Sequence, residues 1–293
     1  MTCNATRRRR ESPAVVRKAL FRPVLAAVTC RVTFTHGYAA NGDLRMYYEV
    51  HGHPRAGEPP LLLIPGGGSS IETNFAGLIP ALLAESLQVI AVEEEGHGRT
   101  AATARPLTAE GSAGDIKAVL DELNVDSVDV LGFSAGGHTA LALAMRHPSM
   151  VRCLIAASTF ASRDAVGDEF WEGMEKATLD DMPEVYQDAD RRLNPESGHL
   201  ERMFELDRQR LLTFPGWPDE DLRRITARTL VLSADRDVVS ADHAVRMSRV
   251  IPGARLMIVP GSHGDYLGEL AASGGDLRAM RTTLPYLLRF LEE

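Results

Sequence analysis

Along most of this chain, short apolar runs alternate with longer stretches in which apolar residues recur at helical spacing. Leu61–Ile64, closed off by Pro60 and Pro65, and Val89–Val92 contain nothing polar, the pattern of strands buried on both faces. Residues 128–131, Val151–Ala157, 229–232 and 255–259 are strand-like in the same way, each with one polar residue. Between them, residues 74–84, 109–123, 136–146 and 241–250 read as helices, and 278–291 closes the chain as an amphipathic helix. His147-Pro148 ends the third of these, because the residue before a proline is pushed out of helical geometry. Residues 44–50 alternate partially and follow the turn signal Asn41-Gly42-Asp43, which predicts an antiparallel hairpin at a sheet edge. Strands and helices in alternation imply an α/β fold: a mostly parallel central sheet with helices on both faces.

Two stretches break the rhythm. Residues 158–227 are charged and helical with no strand signal, and carry Phe170, Trp171, Met174, Met182, Phe204, Phe214 and Trp217 among the charges. They predict a helical lid inserted over the carboxyl edge of the sheet. At the other end, residues 1–36 hold Arg7 to Arg10, Arg17, Lys18 and Arg22, and only 23–30 is apolar without interruption. The expected division is a basic disordered tail or degenerate leader over 1–36, a core over 37–157 and 228–293, and the lid over 158–227.

Composition narrows the function classes. The 293 residues are 44% hydrophobic, enough for a substantial core. Residues 1–31 carry eight Lys and Arg against Glu11, a net of +7 within a whole-chain charge of −8, so the rest stands at −15. A nucleic-acid partner is not expected of so acidic a body. Cys3, Cys30 and Cys153 match no metal-ligand spacing and are odd in number, so neither a metal site nor a disulfide framework is indicated, and no cofactor is expected. No apolar run is long enough to span a bilayer. The expected location is cytoplasmic, with export the alternative if the basic segment serves as a leader.

The candidate chemistry lies after the third central strand. Gly132-Phe133-Ser134-Ala135-Gly136 fits G-x-S-x-G, in which a serine sits on a tight strand-to-helix turn and flanking glycines avoid backbone collisions. A serine hydroxyl needs a base, and the base needs an orienting group. Asp237 lies just past the strand at 229–232 and His263 just past that at 255–259, so both fall at the carboxyl edge with Ser134. Asp235 is the rival acid, read as a solvated loop carboxylate. Gly66-Gly67-Gly68 follows the first central strand; a phosphate-binding loop is disfavoured there, since no Lys-Ser or Lys-Thr follows.

With Ser134, Asp237 and His263 in that order, the chain resembles the α/β-hydrolase superfamily, in its lidded, esterase-like branch, over roughly residues 40–293. The resemblance implies Ser134 as nucleophile, His263 as general base and then acid, Asp237 as the carboxylate that orients it, and an oxyanion hole from the N–H groups of Gly67 and Ala135. Two departures stand out. Pro65-Gly66 replaces the family's His-Gly, and Glu93-Glu94-Glu95-Gly96-His97-Gly98 replaces its Asp-x-x-Gly-His-Gly. Glu93 and His97 read as structural, and His138 as a helix residue near the site.

The expected reaction is metal-free hydrolysis of a small carboxylic ester or lactone through an acyl-enzyme. The same residues suit a carbon–carbon bond (diketone) hydrolase, a thioesterase or a perhydrolase, and a non-catalytic ligand-binding protein on this fold is the alternative of a different class. Gly66, Gly68, Phe133, Trp171 and Met174 are the expected substrate contacts, and the substrate is expected to be small, apolar and uncharged.

Overall fold

A computed structural model of the protein describes residues 34–293. Eight strands form one sheet: β1 (Phe34–Asn41), β2 (Leu44–His51), β3 (Leu61–Ile64), β4 (Val89–Val92), β5 (Val128–Phe133), β6 (Val151–Ala157), β7 (Arg228–Arg236) and β8 (Arg255–Ser262). Their order across the sheet is β1-β2-β4-β3-β5-β6-β7-β8, with β1 and β2 antiparallel to their neighbours and the rest parallel. The hairpin turns through Gly42-Asp43, Gly42 having φ +60°. β1 begins at Phe34, inside the segment expected to be tail, because pairing with β2 extends to Phe34 opposite His51. The basic segment over 1–33 lies outside the described residues.

Eleven α-helices accompany these strands in the described residues: α1 (Ile71–Phe75), α2 (Leu78–Ala84), α3 (Ala109–Glu122), α4 (Ala135–Arg146), α5 (Asp168–Lys176), α6 (Glu184–Leu193), α7 (His199–Thr213), α8 (Asp219–Leu222), α9 (Ala241–Val250), α10 (Leu270–Ser273) and α11 (Arg278–Glu292). Alternate strand residues serve opposite faces. Leu62, Ile64, Ile90 and Val130 pack against α3, α4 and α9, while Leu61, Leu63, Val89 and Leu131 pack against α1, α2 and α11. This two-sided burial is why the strands contain so little that is polar.

The helix expected over 74–84 is two helices. Ser70 accepts the Thr73 N–H and so starts α1 early, and the helix breaks at Ala76-Gly77, where a β-carbon on Gly77 would collide with Leu277 of the C-terminal segment. Residues 158–227 contain no strand: α5 to α8 and short 3₁₀ turns fill the span between β6 and β7. Phe160, Val166, Trp171 and Phe214 make a separate apolar cluster that fastens this insertion to Val239 beyond β7.

Candidate active site

β4 lies on one side of β3 and β5 on the other, so chain order reverses between β3 and β5. The loops beyond the carboxyl ends of these two strands diverge there and open a crevice, the usual place for a ligand in such sheets. The loop after β3 carries Gly66-Gly67-Gly68, and the turn after β5 carries Ser134.

Ser134 adopts φ 54°, ψ −118°, a conformation disfavoured for any residue with a side chain. The turn is held by its N–H, which donates to Ala157 O at 2.9 Å, and by the Gly137 N–H, which donates back to Ser134 O at 2.9 Å. A β-carbon on Gly132, Gly136 or Gly137 would lie less than 3.0 Å from neighbouring atoms, and at Gly136 those atoms are the carbonyls of Ile64 and Pro65. The glycines are therefore what lets β5 turn into α4 this tightly.

The structure brings Ser134, His263 and Asp237 into one chain of hydrogen bonds. His263 Nε2 is 3.0 Å from Ser134 Oγ, and His263 Nδ1 is 2.7 Å from Asp237 Oδ1. The Asp237 side chain is wholly buried while that of His263 is 31% exposed. Burial alone would raise the Asp237 pKa. The hydrogen bond and charge of His263, the Ser158 hydroxyl and the Val239 N–H outweigh it and hold the carboxyl below its ordinary value. Asp235 points elsewhere: its Oδ1 accepts the Gly261 N–H at 2.8 Å.

Among the described residues, the N–H groups of Gly67 and Ala135 have no hydrogen-bond partner. Both residues border a cavity of about 330 Å³ that also reaches Ser134 and His263. Its wall is largely apolar, with Val238 from the body and Phe160, Phe170, Met174, Met182, Tyr186, Phe204 and Leu211 from the insertion. A larger groove, about 780 Å³, runs between the β8 edge and α11 and touches none of the three hydrogen-bonded residues. Among the described residues no group of three or more His, Cys, Asp or Glu is placed to hold a metal, and no helix is long and apolar enough to cross a membrane.

Of the five expected substrate contacts, Gly68 and Met174 border this cavity and Gly66, Phe133 and Trp171 do not. Gly66 is spent inside its own loop, donating its N–H to Asn74 Oδ1 at 2.6 Å and accepting from the Ser69 hydroxyl at 2.6 Å. Phe133 lies beneath His263, ring centroids 4.8 Å apart, and so supports the imidazole. Trp171 faces the insertion's own cluster. Its indole N–H donates to Arg163 O at 3.0 Å and the Arg163 guanidinium lies over its ring at 3.7 Å.

His138 borders the cavity too, stacked on Phe214 with centroids 4.5 Å apart. Burial, with the charge of Arg210, drives its pKa down to about 3, so it is neutral. Glu93 is fully buried and accepts from the Arg99 N–H at 2.7 Å and from Arg99 Nη1 at 2.8 Å, a structural use.

Four residues around the site carry no mark in the sequence. Ser158, the residue just past β6, has φ 47°, donates to Asp237 and lies 2.5 Å from the Tyr266 hydroxyl. Its place at a strand's carboxyl end is the one signal that could have found it. Asp207 and Arg210, on α7, turn inward to the body: Asp207 Oδ2 lies 2.8 Å from His97 Nε2, and Arg210 Nη1 lies 3.1 Å from Glu94 Oε2. Nothing distinguishes them from the other charges of 158–227.

A sequence profile of the alpha/beta hydrolase fold matches residues 59–218, more than half of the chain. The chain belongs to the α/β-hydrolase fold family. Within that family it is 30% identical, over 241 residues, to a protein of Caulobacter sp. (strain K31) provisionally named carbamate hydrolase RutD, the match spanning 75% of this chain and 89% of that one. Among solved structures, the enol-lactonase of Burkholderia xenovorans LB400 superposes with a TM-score of 0.66 at 21% identity, covering 87% of this chain and 100% of that one. The meta-cleavage product hydrolase CumD of Pseudomonas fluorescens IP01 gives 0.70 at 19%, covering 88% and 97%. These α/β-hydrolase structures share the fold. The protein is an α/β-hydrolase enzyme, and the mostly parallel sheet flanked by helices expected from the sequence is the fold of its family.

Proposed function

We propose that this α/β-hydrolase cleaves a small, uncharged carboxylic ester or lactone through a covalent acyl-Ser134 intermediate. The observation that carries the reading is the Ser134–His263–Asp237 chain of hydrogen bonds at the edge of an apolar cavity. Ser134 Oγ attacks the carbonyl carbon while His263 Nε2 takes its proton. Asp237 holds Nδ1–H, so the lone pair of Nε2 faces the serine, and it stabilises the imidazolium that forms. The carbonyl oxygen, now an alkoxide, lies against the Gly67 and Ala135 N–H groups, each worth about 3 kcal/mol of barrier. Collapse expels the alcohol, which takes the proton from His263. Water then attacks the acyl-serine with His263 again as base, releasing the acid and restoring the hydroxyl. Residues 158–227 act as the lid, since α5, α6 and α7 supply most of the apolar wall.

A second reading, cleavage of a carbamate by the same groups, is favoured by the name of the 30% identical relative. The experiment exposes wild type and Ser134→Ala to a fluorophosphonate probe, p-nitrophenyl esters of two to eight carbons and a p-nitrophenyl N-alkylcarbamate. Labelling and turnover of short esters in wild type, both lost in Ser134→Ala, are expected. Folded wild-type protein that neither labels nor turns over any of them overturns the serine mechanism, and turnover of the carbamate alone selects the second reading.

A further inference from the structure

One turn of α7 grips both loops of the proposed oxyanion hole. Asp207 Oδ2 accepts the Gly68 N–H at 2.5 Å, one residue from Gly67. Three residues on, and so on the same helical face, Arg210 Nη2 donates to Ala135 O at 2.8 Å and to Thr139 Oγ1 at 2.6 Å on the helix that Ser134 begins. Both side chains are buried, and the insertion has an apolar anchor of its own around Trp171. We propose that Asp207 and Arg210 are positioning residues for the oxyanion hole, so that the lid helix α7 sets the aim of the Gly67 and Ala135 N–H groups.

Three observations beyond the bonds themselves point the same way. The first of these loops has no regular secondary-structure ladder to hold it: Gly66, Gly67 and Gly68 lie outside any strand or helix, and Gly68 has φ +69°. A β-carbon on Gly67 would come within 3.1 Å of Asp207 Oδ2, so the carboxylate also packs directly on the residue whose N–H is in question. Finally, the charge of Asp207, which alone would oppose an alkoxide nearby, is balanced. Burial opposes the charged form of His97, yet the Asp207 charge raises its pKa to about 9 and keeps it cationic at neutral pH, while the Arg210 guanidinium is paired with Glu94 at 3.1 Å. Stabilising an oxyanion depends on donors held in place before charge develops, so loosening either clamp costs the transition state more than the bound substrate.

This inference rests on Ser134 as nucleophile, and the experiment separates the two. Steady-state kinetics on a short p-nitrophenyl ester are run for wild type, Asp207→Ala, Asp207→Asn and Arg210→Lys, each checked for folding by its circular dichroism melt. An alkylboronic acid serves as the tetrahedral mimic and the product carboxylate as the ground-state ligand. Asp207→Ala is expected to lower kcat about a hundred-fold with KM within about three-fold, and to weaken the boronate by a similar factor while leaving the carboxylate's affinity alone. Asp207→Asn, whose amide oxygen can still accept the Gly68 N–H, is expected to recover at least about ten-fold of that loss. Should Asp207→Ala fail to fold, Asp207→Asn and Arg210→Lys carry the test, each expected to lower kcat and boronate affinity together. A change in KM with kcat unmoved, or equal weakening of boronate and carboxylate, overturns the positioning role. Wild-type protein without ester turnover removes the nucleophile instead.

Discussion

At the scale of single residues, the site depends on differences of one or two positions. Asp235 and Asp237 are two apart on the same strand end, yet only Asp237 is turned into the protein, where it accepts from Ser158 and Val239 as well as from His263. Asp237→Asn is therefore expected to lower ester turnover by about a thousand-fold or more, because an amide at this position favours the wrong imidazole tautomer. Asp235→Asn loses one loop hydrogen bond, to Gly261, and is expected to cost under about ten-fold. Steady-state kinetics of the two variants decide it, and a reversed order would move the acid to Asp235. The sequence distinguishes these carboxylates through the apolar residues that follow Asp237, of which Val239 is buried. The same position-by-position reading goes wrong for Trp171. An aromatic in an insertion has two uses, lining the pocket or fastening the insertion, and residue type alone does not choose between them.

At the scale of elements, what is legible is what burial writes into composition. β3 and β4 are apolar throughout because both faces are covered, and the turn after β5 is glycine-rich because backbone carbonyls occupy the space a side chain would need. What is not legible is contact between elements remote in sequence. The break between α1 and α2 involves Leu277, about two hundred residues away, and the inward turn of Asp207 and Arg210 is decided by partners on β4 and α4 loops. The anchoring of α5 can be tested directly. Trp171→Ala removes a nearly buried indole and its hydrogen bond to Arg163, a loss of about 3 kcal/mol. It is expected to speed amide hydrogen exchange in α5 by about a hundred-fold while leaving β3 to β6 unchanged. Equal acceleration in the sheet would mean that the insertion is not a separate opening unit.

At the scale of the whole molecule, three buried histidines set opposite limits on stability. Burial drives His138 down to about 3, and His243 down to about 4, the latter also by Arg246 against the opposing pull of Asp164. Both stay neutral in the folded protein while an unfolded histidine takes up a proton below pH about 6.5. Their share of stability is present above that pH and is lost as pH falls. His97 is the reverse case: burial disfavours its charge, the Asp207 carboxylate more than restores it, and its folded pKa of about 9 lies above the unfolded value. Its share is complete below pH about 6.5 and is lost as pH rises through about 9. Asp207 and Asp237, both held below the ordinary carboxylate range, add a further loss only at more acidic pH. Calorimetric Tm is thus expected to peak near pH about 6.5 and to fall on both sides. His97→Gln is expected to flatten the alkaline limb and His243→Gln to soften the acidic one. A wild-type Tm that rises between pH about 7 and about 9.5 would show that the His97–Asp207 pair does not hold α7 to the body through its charge.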